Sequence, residues 1–467
     1  MATTKQTPPG FLGNLTADQE IRLRQMWAIV LRLLDAQALG AAEPSPDPGV
    51  NRRNSTLTRT STTISAAAGS AYTEALGKAM QDVGVSSTEI RAVRDALTSL
   101  TTDDLRFGLL STAKCDHPDS LLLRFLRARK WDVGKSFCMM LHAMVWRIKD
   151  QHVDERVNAN GELHALRQEK DTSKPDQAKA GSQFLAQMRM GKCFIHGVDR
   201  ESRPVGIVRA RLHRPSEQSE EVITRYILHV IEMARLLLLP PIENVTIVFD
   251  MTGFSLSNME YAPVKFLIDC FQANYPESLG MIIIYNAPWI FSGIWRIIKG
   301  WMDPVIVAKV QFASTFADVE KFIAPENIAP EIGTKGTSYE FVEPSETEND
   351  PMQDTATRDR LMEDRTAIGE ELLLVTSQWV SAHQSNDQAK VSEMAPRRKD
   401  VIERLRVNYW SLDPHIRARN HLDRTDIIQP GGRIAFYPGS ETTSDTETAK
   451  AIEVEHVEQA QVKVVDV

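Results

Sequence analysis

Cysteine is scarce in this chain of 467 residues, and no two cysteines form a Cys-x-x-Cys pair. The absence of such a pair excludes the usual paired zinc ligands, and four widely spaced cysteines give no sign of a disulfide framework. We therefore expect reduced, buried thiols and no metal site. The cysteines are Cys115, Cys138, Cys193 and Cys270.

A long apolar run is missing as well. The first nine residues are polar and lack the apolar centre of a signal peptide. The apolar stretch at residues 227–239 is interrupted by His229, Glu232 and Arg235, which a membrane-spanning helix would rarely carry. The sequence thus predicts a cytoplasmic protein without a spanning segment.

An excess of positive charge is also lacking. The chain has 54 basic and 62 acidic residues, a net charge of -8. A protein that binds nucleic acid needs basic side chains to displace the cations around the phosphates. We therefore expect no nucleic-acid partner.

The common catalytic motifs are absent too. The chain contains neither the phosphate loop GxxxxGK[ST], nor the dinucleotide motif GxGxxG, nor the nucleophile motif GxSxG. His196, Asp250 and Ser255 could be imagined as a triad, but in a chain with 11 histidines such a trio carries little information. The sequence predicts a protein that is not an enzyme and holds no cofactor.

What the chain does contain is a change of pattern along its length. Apolar residues recur at helical spacing in residues 16–39, 121–130 (with Asp119 or Ser120 as the expected cap) and 133–148. Residues 41–71 are rich in proline, serine and threonine, as disordered linkers are. We predict an N-terminal helix (1–40), a disordered linker (41–71), a helical lobe (72–150), a main domain (170–340), a helical extension (355–425) and a disordered tail (439–467).

The main domain alternates short β-rich runs with helical patterns. Two of the runs are apolar throughout, which is typical of strands covered on both faces. Helical patterns at residues 219–239 and 262–274 separate them and favour crossover connections. The fold class is therefore α/β, with a mostly parallel sheet of about five strands. The predicted strands are residues 193–196, 205–212, 245–250, 281–286 and 309–313.

Two further segments leave alternatives open. Residues 287–302 are apolar on nearly every side and rich in tryptophan, which fits either an ordinary core helix or a pocket wall that meets lipid. Arg124, Arg127 and Lys130 follow each other at three-residue steps. They form either a solvated charged face or a site for an anionic headgroup.

Several motifs together resemble the CRAL-TRIO family of lipid-transfer proteins, in particular its fungal phosphatidylinositol-transfer branch. They are LLRFLRARKWD at residues 122–132, GVDRESRPV at 197–205, NYPESLG at 274–280, NAPW at 286–289, and Asp303-Pro-Val with Lys309 beyond it. The resemblance covers about residues 90–335. It implies a CRAL-TRIO lipid-binding domain with a helical lobe before it and a helical extension after it.

The resemblance also implies a function. Such a protein binds a phospholipid, phosphatidylinositol first, in an apolar cavity and transfers it between membranes, which it meets transiently as a peripheral protein; a lipid kinase is a candidate partner. The implied headgroup residues are Arg129, Lys130, Glu277 and Lys309, with Lys130 and Glu277 close enough to interact. The implied lid or pocket wall comprises Trp289, Phe291, Ile294, Trp295, Ile298 and Trp301.

Three departures from the family pattern bear on the ligand. Ile306 stands where the family places a phosphate-binding threonine, and Gly333-Thr334 replaces a closing Gly-Gly pair. Val245 and Ile247 stand where phosphatidylcholine-binding relatives carry hydroxyl groups. Phosphatidylcholine is therefore disfavoured. Two alternatives stay open: carriage of another apolar ligand such as a sterol, and a lipid-dependent protein-interaction module.

Overall fold

The structure is a computed structural model that describes residues 7–40 and 77–438, except 79, 83, 98, 99, 101 and 335–337. The side chains of residues 35–40, 102 and 103 are also outside the description. The predicted linker at 41–71 and the predicted tail at 439–467 lie outside the described residues. Within the described residues, no helix combines the length and the apolar character needed to cross a membrane.

A five-stranded sheet forms the centre of the main domain, with the strands in chain order across it. The first two strands pair antiparallel and the remaining pairs are parallel, which fits the predicted mostly parallel sheet of about five strands. The predicted strand at 205–212 ends three residues early, because Ala210–Leu212 turns into a 3-10 helix. The strands are β1 (Cys193–Val198), β2 (Pro204–Arg209), β3 (Val245–Asp250), β4 (Leu279–Tyr285) and β5 (Val310–Ala313).

Successive side chains along each strand point to opposite faces of the sheet, and both faces are apolar here. Val205, Ile207, Val248 and Ile283 pack into one core with the segment that follows β5. Their neighbours point to the opposite face, where Gly206, Ile247 and Ile282 lie in one row of the register. This second face forms the floor of a cavity.

Helices before the sheet form a lobe with its own core, in which Trp27, Leu122 and Phe137 are fully buried. The sequence predicted helices within this lobe at residues 16–39, 121–130 and 133–148. These helices are α1 (Ala17–Gly40), α2 (Ser87–Leu97), α3 (Thr102–Ala113), α4 (Pro118–Ala128) and α5 (Val133–Val145), the last continued by a π-helical turn at Trp146–Asp150.

The predicted cap of α4 was wrong. The helix begins at Pro118, where a residue without an N–H group is well accommodated, and His117 is the N-cap, whose ring accepts a hydrogen bond from the backbone N–H of Asp119. The Asp119 side chain turns into the core instead. It accepts hydrogen bonds from Trp27 Nε1 at 2.6 Å and from Arg398 Nη1 at 2.7 Å.

Two helices occupy the polar stretch before β1, where none was predicted. They are α6 (Gly161–Lys170) and α7 (Pro175–Arg189), preceded by a π-helical segment at Val153–Asn158. Each buries a narrow stripe, including Leu163 in α6 and Phe184 in α7, against the main domain. The other faces are polar, and this composition concealed the helical period.

The crossover helices between the strands cover the cavity face. They are α8 (Glu220–Arg235) before β3, α9 (Tyr261–Asp269, continued by a π-helical segment at Cys270–Asn274) before β4, and α10 (Phe291–Lys299) with α11 (Pro304–Ala308) before β5.

A helical hairpin follows the sheet and packs against the N-terminal lobe. The second long helix continues through Pro396, because Asp387 caps the helix nine residues upstream and the proline is tolerated inside. Arg398 from this helix reaches Asp119, so the hairpin and the lobe share a buried ion pair. The hairpin consists of α13 (Thr355–Gln384) and α14 (Gln388–Ile416). Short helices lie on either side of it in the chain: α12 (Phe316–Val319) before it and α15 (His421–Arg424) after it.

The four cysteines are free thiols, as expected. Cys270 is buried, but Cys115, Cys138 and Cys193 are half-buried, which corrects the prediction that all four are buried.

Candidate functional site

A cavity of about 270 Å³ lies between the sheet and the crossover helices α8, α9 and α10. This space is roughly twenty times what a single water molecule requires. Its walls are almost entirely apolar: Ile247 and Phe249 come from β3, Ile282 and Ile284 from β4, and Val230 from α8, among others. Such a space suits an apolar ligand.

Helix α10 forms one wall of this cavity. Phe291, Trp295 and Ile298 line it at helical spacing, and Ile294 is buried in the same core. The helix is therefore amphipathic, and the prediction of a segment apolar on nearly every side was wrong, because its outer face carries Arg296 and Lys299, both exposed. Of the six residues implied as lid or pocket wall, Phe291, Trp295 and Ile298 face the cavity.

The outer side of α10 also presents apolar side chains. Trp289, just before the helix, is 87% exposed, and Ile297 is 48% exposed. Phe312 of β5 is also exposed and meets Trp295 edge-to-face, with ring centroids 5.4 Å apart. Trp301 is half-buried against Tyr261. The exposed side chains Trp289, Ile297 and Phe312 are here named the outer apolar surface, and Phe312 contacts the cavity wall through Trp295.

Two of the four implied headgroup residues meet at the amino edge of the parallel strands. Lys309 Nζ lies 3.3 Å from Glu277 Oε2 and donates a hydrogen bond to the Leu279 carbonyl oxygen at 2.8 Å. Both charged side chains are 21% exposed. Ser278 and Val310, their chain neighbours, line the cavity, so the pair lies beside its end.

The other two implied headgroup residues lie at the carboxyl-terminal end of α4. Lys130 is exposed and Arg129 is half-buried after the end of α4. Among the described residues, neither contacts Glu277 or Lys309. The expected approach of Lys130 to Glu277 is not seen, since Glu277 pairs with Lys309 instead.

Neither alternative proposed for Arg124 and Arg127 is right. Arg124 is buried, with Nη2 2.5 Å from Asp116 Oδ2. Arg127 Nη2 lies 2.6 Å from Glu243 Oε2, and its guanidinium covers the ring of Phe11 at 3.9 Å. Both charges are therefore balanced within the protein and hold α4 against its neighbours.

Glu232 interrupts the apolar stretch at residues 227–239. It is a buried carboxylate that fixes α8 in place. Glu232 accepts hydrogen bonds from Lys114 at 2.6 Å, Arg147 at 2.9 Å and Tyr275 at 2.8 Å. Burial alone would raise the pKa of Glu232, but Arg147, Lys114 and Arg235 hold it well below its usual range. One wall of the cavity is thereby tied to the helical lobe.

A second polar group, missed by sequence analysis, lines the cavity at the carboxyl edge of the sheet. Lys192 Nζ lies 3.3 Å from His213 Nδ1 and 3.3 Å from Gln218 Oε1, and His213 Nε2 lies 2.8 Å from Glu260 Oε2. Burial lowers the pKa of Lys192 to about 8. These residues come from three separate loops, and the sequence carried no signal that joins them.

Two family models match the sequence of this chain. The sequence model of the CRAL/TRIO domain matches residues 188–333, and that of the CRAL/TRIO N-terminal domain matches residues 89–142. Among solved structures, the crystal structure of Sfh5 matches with a TM-score of 0.34 and 17% identity, over 44% of this chain and 67% of that one.

Two fungal relatives match over nearly their whole length. A CRAL-TRIO domain-containing protein of Schizosaccharomyces pombe is 35% identical over 433 residues, 89% of this chain and 92% of the relative. A phosphatidylinositol transfer protein of Eremothecium gossypii is 36% identical over 447 residues, 90% of this chain and 98% of the relative. With both domains matched and both relatives covered over more than nine-tenths of their length, this chain belongs to the CRAL-TRIO family, whose members bind and transfer lipids.

Proposed function

We propose that this protein binds phosphatidylinositol in its apolar cavity and transfers it between membranes as a peripheral protein. The observation that carries the proposal is a cavity with apolar walls whose amino-edge end adjoins the charged pair Glu277 and Lys309. The similarity to a relative named as a phosphatidylinositol transfer protein supports it.

The energetics of lipid extraction explain why the walls must be apolar. Each CH₂ group taken out of water contributes about 0.8 kcal/mol, so a chain of sixteen carbons costs on the order of 13 kcal/mol when left exposed. No headgroup contact offsets a cost of that size. The tails must therefore be enclosed, while a few charges select the headgroup.

The headgroup assignment rests on complementary chemistry. The Lys309 ammonium suits the lipid phosphate, and the Glu277 carboxylate can accept hydrogen bonds from inositol hydroxyl groups. Arg129 and Lys130 remain part of the proposal as cations on the neighbouring helical lobe. Ile306 is buried on the cavity wall, so no hydroxyl group supports the phosphate there.

Val245 and Ile247 line the cavity floor with hydrocarbon. A phosphocholine group placed there would lose its water without gaining hydrogen bonds from these two side chains. This favours phosphatidylinositol over phosphatidylcholine.

Exchange requires an opening, and α10 is the proposed lid. Its inner face closes the cavity and its outer apolar surface can enter a bilayer interface, where tryptophan is favoured. The cycle is docking, opening, exchange of one lipid for another, and closure on release. No covalent bond is broken.

Replacing Trp289 by alanine should weaken vesicle binding severalfold and slow phosphatidylinositol transfer in proportion. The side chain is exposed, so its removal takes little from the folded state, whereas a tryptophan at the interface contributes through its large apolar surface. Sedimentation with phosphatidylinositol-containing vesicles and a thermal melt measure the two effects.

Leu374→Ala provides the matched control, because Leu374 is an exposed apolar side chain (58%) on α13, outside the outer apolar surface. Its vesicle binding should equal that of the native chain. Equal binding by both variants would contradict membrane docking through Trp289.

Lipids extracted from the purified protein and identified by mass spectrometry test the proposed function directly. Phosphatidylinositol as the main bound lipid is the expected result. Recovery of another apolar molecule in its place would support the carrier alternative, and recovery of no lipid would support an interaction module.

A further inference from the structure

The turn that ends α4 carries two of the implied headgroup cations, Arg129 and Lys130, in a strained backbone. Trp131 N–H bonds to the Leu126 carbonyl oxygen at 2.7 Å, and Lys130 N–H bonds to the Arg127 carbonyl oxygen at 3.1 Å. This pattern is a Schellman motif, and Lys130 occupies the position where glycine is the usual residue. Its φ is 53°, and that of Trp131 is 67°. Two successive side chains in the left-handed region persist only where surrounding contacts hold them there.

A loop before α1, residues 7–16 and here named the N-terminal loop, packs against this turn. The Gly10 carbonyl oxygen accepts a hydrogen bond from Arg127 Nη1 at 3.0 Å, and the Phe11 ring centre lies 3.9 Å from Arg127 Cζ. A Cβ atom on Gly10 would lie 3.2 Å from Trp131 Cζ2, and the Gly10 φ of 82° also favours glycine. The loop therefore contacts residues on both sides of Lys130.

The N-terminal loop is itself held in place. Gly10 N–H bonds to the Asn14 carbonyl oxygen and Asn14 N–H to the Phe11 carbonyl oxygen, both at 2.9 Å, so the loop closes on itself. Leu12 and Leu15 pack against the core of the helical lobe. Because the loop is fixed at these points, it can support the strained turn.

The two cations on the turn are available to a ligand. Among the described residues, neither Arg129 nor Lys130 forms an ion pair, whereas Arg127 pairs with Glu243 at 2.6 Å. Burial lowers the pKa of Arg127, while Glu243 and Glu277 raise it, so the charge of Glu277 also acts on this side chain. The end of α4 is thereby coupled to the implied headgroup residue Glu277.

We propose that the N-terminal loop braces the headgroup site: Gly10 and Phe11 are positioning residues that hold the turn of Arg129 and Lys130 for contact with the lipid phosphate. The proposal rests on the proposed function and goes beyond it, since the loop lies outside both matched family models, residues 89–142 and 188–333. Without the brace, the turn leaves the left-handed region and the two cations spread over many positions. The loop contributes order to the site and makes no contact with the lipid.

Phe11→Ala tests the brace in the full-length chain. Loss of the ring removes its contact with Arg127, so amide exchange at Lys130 and Trp131 should become about tenfold faster. Phosphatidylinositol transfer should fall about fivefold. Phe11→Tyr keeps the ring and should match the native chain in both measurements. Native amide exchange in Phe11→Ala, or faster exchange with native transfer, would overturn the proposal.

Val93→Ala is the control for a general loss of stability. Val93 lies on α2 and is buried in the same lobe core, outside the N-terminal loop. This variant should lower the melting temperature, yet its transfer rate and its amide exchange at Lys130 should stay within about twofold of the native values well below that temperature. A fivefold fall in its transfer rate would assign the effect of Phe11→Ala to stability and overturn the proposal.

The double substitution Arg129→Gln with Lys130→Gln separates positioning from other effects. If Phe11 acts through these two cations, Phe11→Ala should slow transfer in the native background and cause no further loss in the doubly substituted one. A further fivefold loss there would overturn the proposal. A native chain that transfers no phosphatidylinositol would refute the proposed function and the lipid part of this proposal, whereas amide exchange would still decide whether the loop braces the turn.

Discussion

Lys309→Ala should reduce phosphatidylinositol transfer between vesicles at least tenfold and leave the melting temperature nearly unchanged. A charge-assisted hydrogen bond to phosphate contributes about 1.5–3 kcal/mol, which corresponds to a tenfold or larger change in binding. The folded state loses one partly exposed ion pair to Glu277, and pairs of this kind stabilise proteins by about 0–1 kcal/mol. Transfer of labelled lipid and a thermal melt separate the two quantities.

Lys321→Ala is the matched control for this experiment. Lys321 pairs with Asp318 at 2.8 Å on the surface, and its side chain is exposed. This variant should transfer lipid at the native rate. If Lys309→Ala transfers as fast as Lys321→Ala, the headgroup assignment is wrong.

Arg398→Met should destabilise the protein by about 3–5 kcal/mol. Arg398 is buried and forms a bidentate ion pair with Asp119, whose carboxylate also accepts from Trp27. Removing the guanidinium leaves a buried carboxylate without its counter-charge, which is the costly way to break such a pair. Urea unfolding followed by circular dichroism measures the loss.

Arg404→Met lies on the same helix and removes a surface ion pair with Glu371. It should cost no more than about 1 kcal/mol. The double variant Asp119→Leu with Arg398→Met should recover much of the stability lost in the single variant, because no unpaired charge remains. A double variant as unstable as Arg398→Met would show that packing, rather than the buried charge, causes the loss.

The same pair predicts a dependence on pH. Burial alone would raise the pKa of Asp119, but Arg398 lowers it to about 2, below the unfolded value of about 3.9. The ion pair therefore stabilises the fold fully above about pH 4, and this contribution is lost as the pH falls toward 2. The stability difference between the native chain and Asp119→Asn should shrink over this range.

The sheet could be predicted from sequence because its strands are short apolar runs separated by helical patterns. Residues 245–250 were placed to the residue, since such a run fits a strand covered on both faces. Helices α6 and α7 were missed because a helix that buries a narrow stripe looks polar in composition. Helix α10 was misjudged for the converse reason: its many apolar residues concealed the exposed Arg296 and Lys299.

The site could be predicted where chemistry lies close to a motif, and not where distant segments meet. The motif implied Glu277 and Lys309 as headgroup residues, a role that stays a prediction, and the parallel β4–β5 pairing brings the two side chains together at one edge. Arg124 and Arg127 looked available because their partners, Asp116 and Glu243, are recognisable as partners only after folding. The contacts among Lys192, His213 and Glu260 depend on tertiary structure alone.

The amphipathic character of α10 sets the free energy of opening in water. If α10 swings away, Phe291, Ile294 and Ile298 lose their burial, at about 1.5–3 kcal/mol each. The sum is about 5 kcal/mol or more, so fewer than about one molecule in a thousand would be open between membranes. A bilayer interface receives the same side chains and removes most of that cost. Under the proposed lid mechanism, exchange would therefore occur mainly at a membrane, and the burial of these three side chains would suppress lipid loss between membranes.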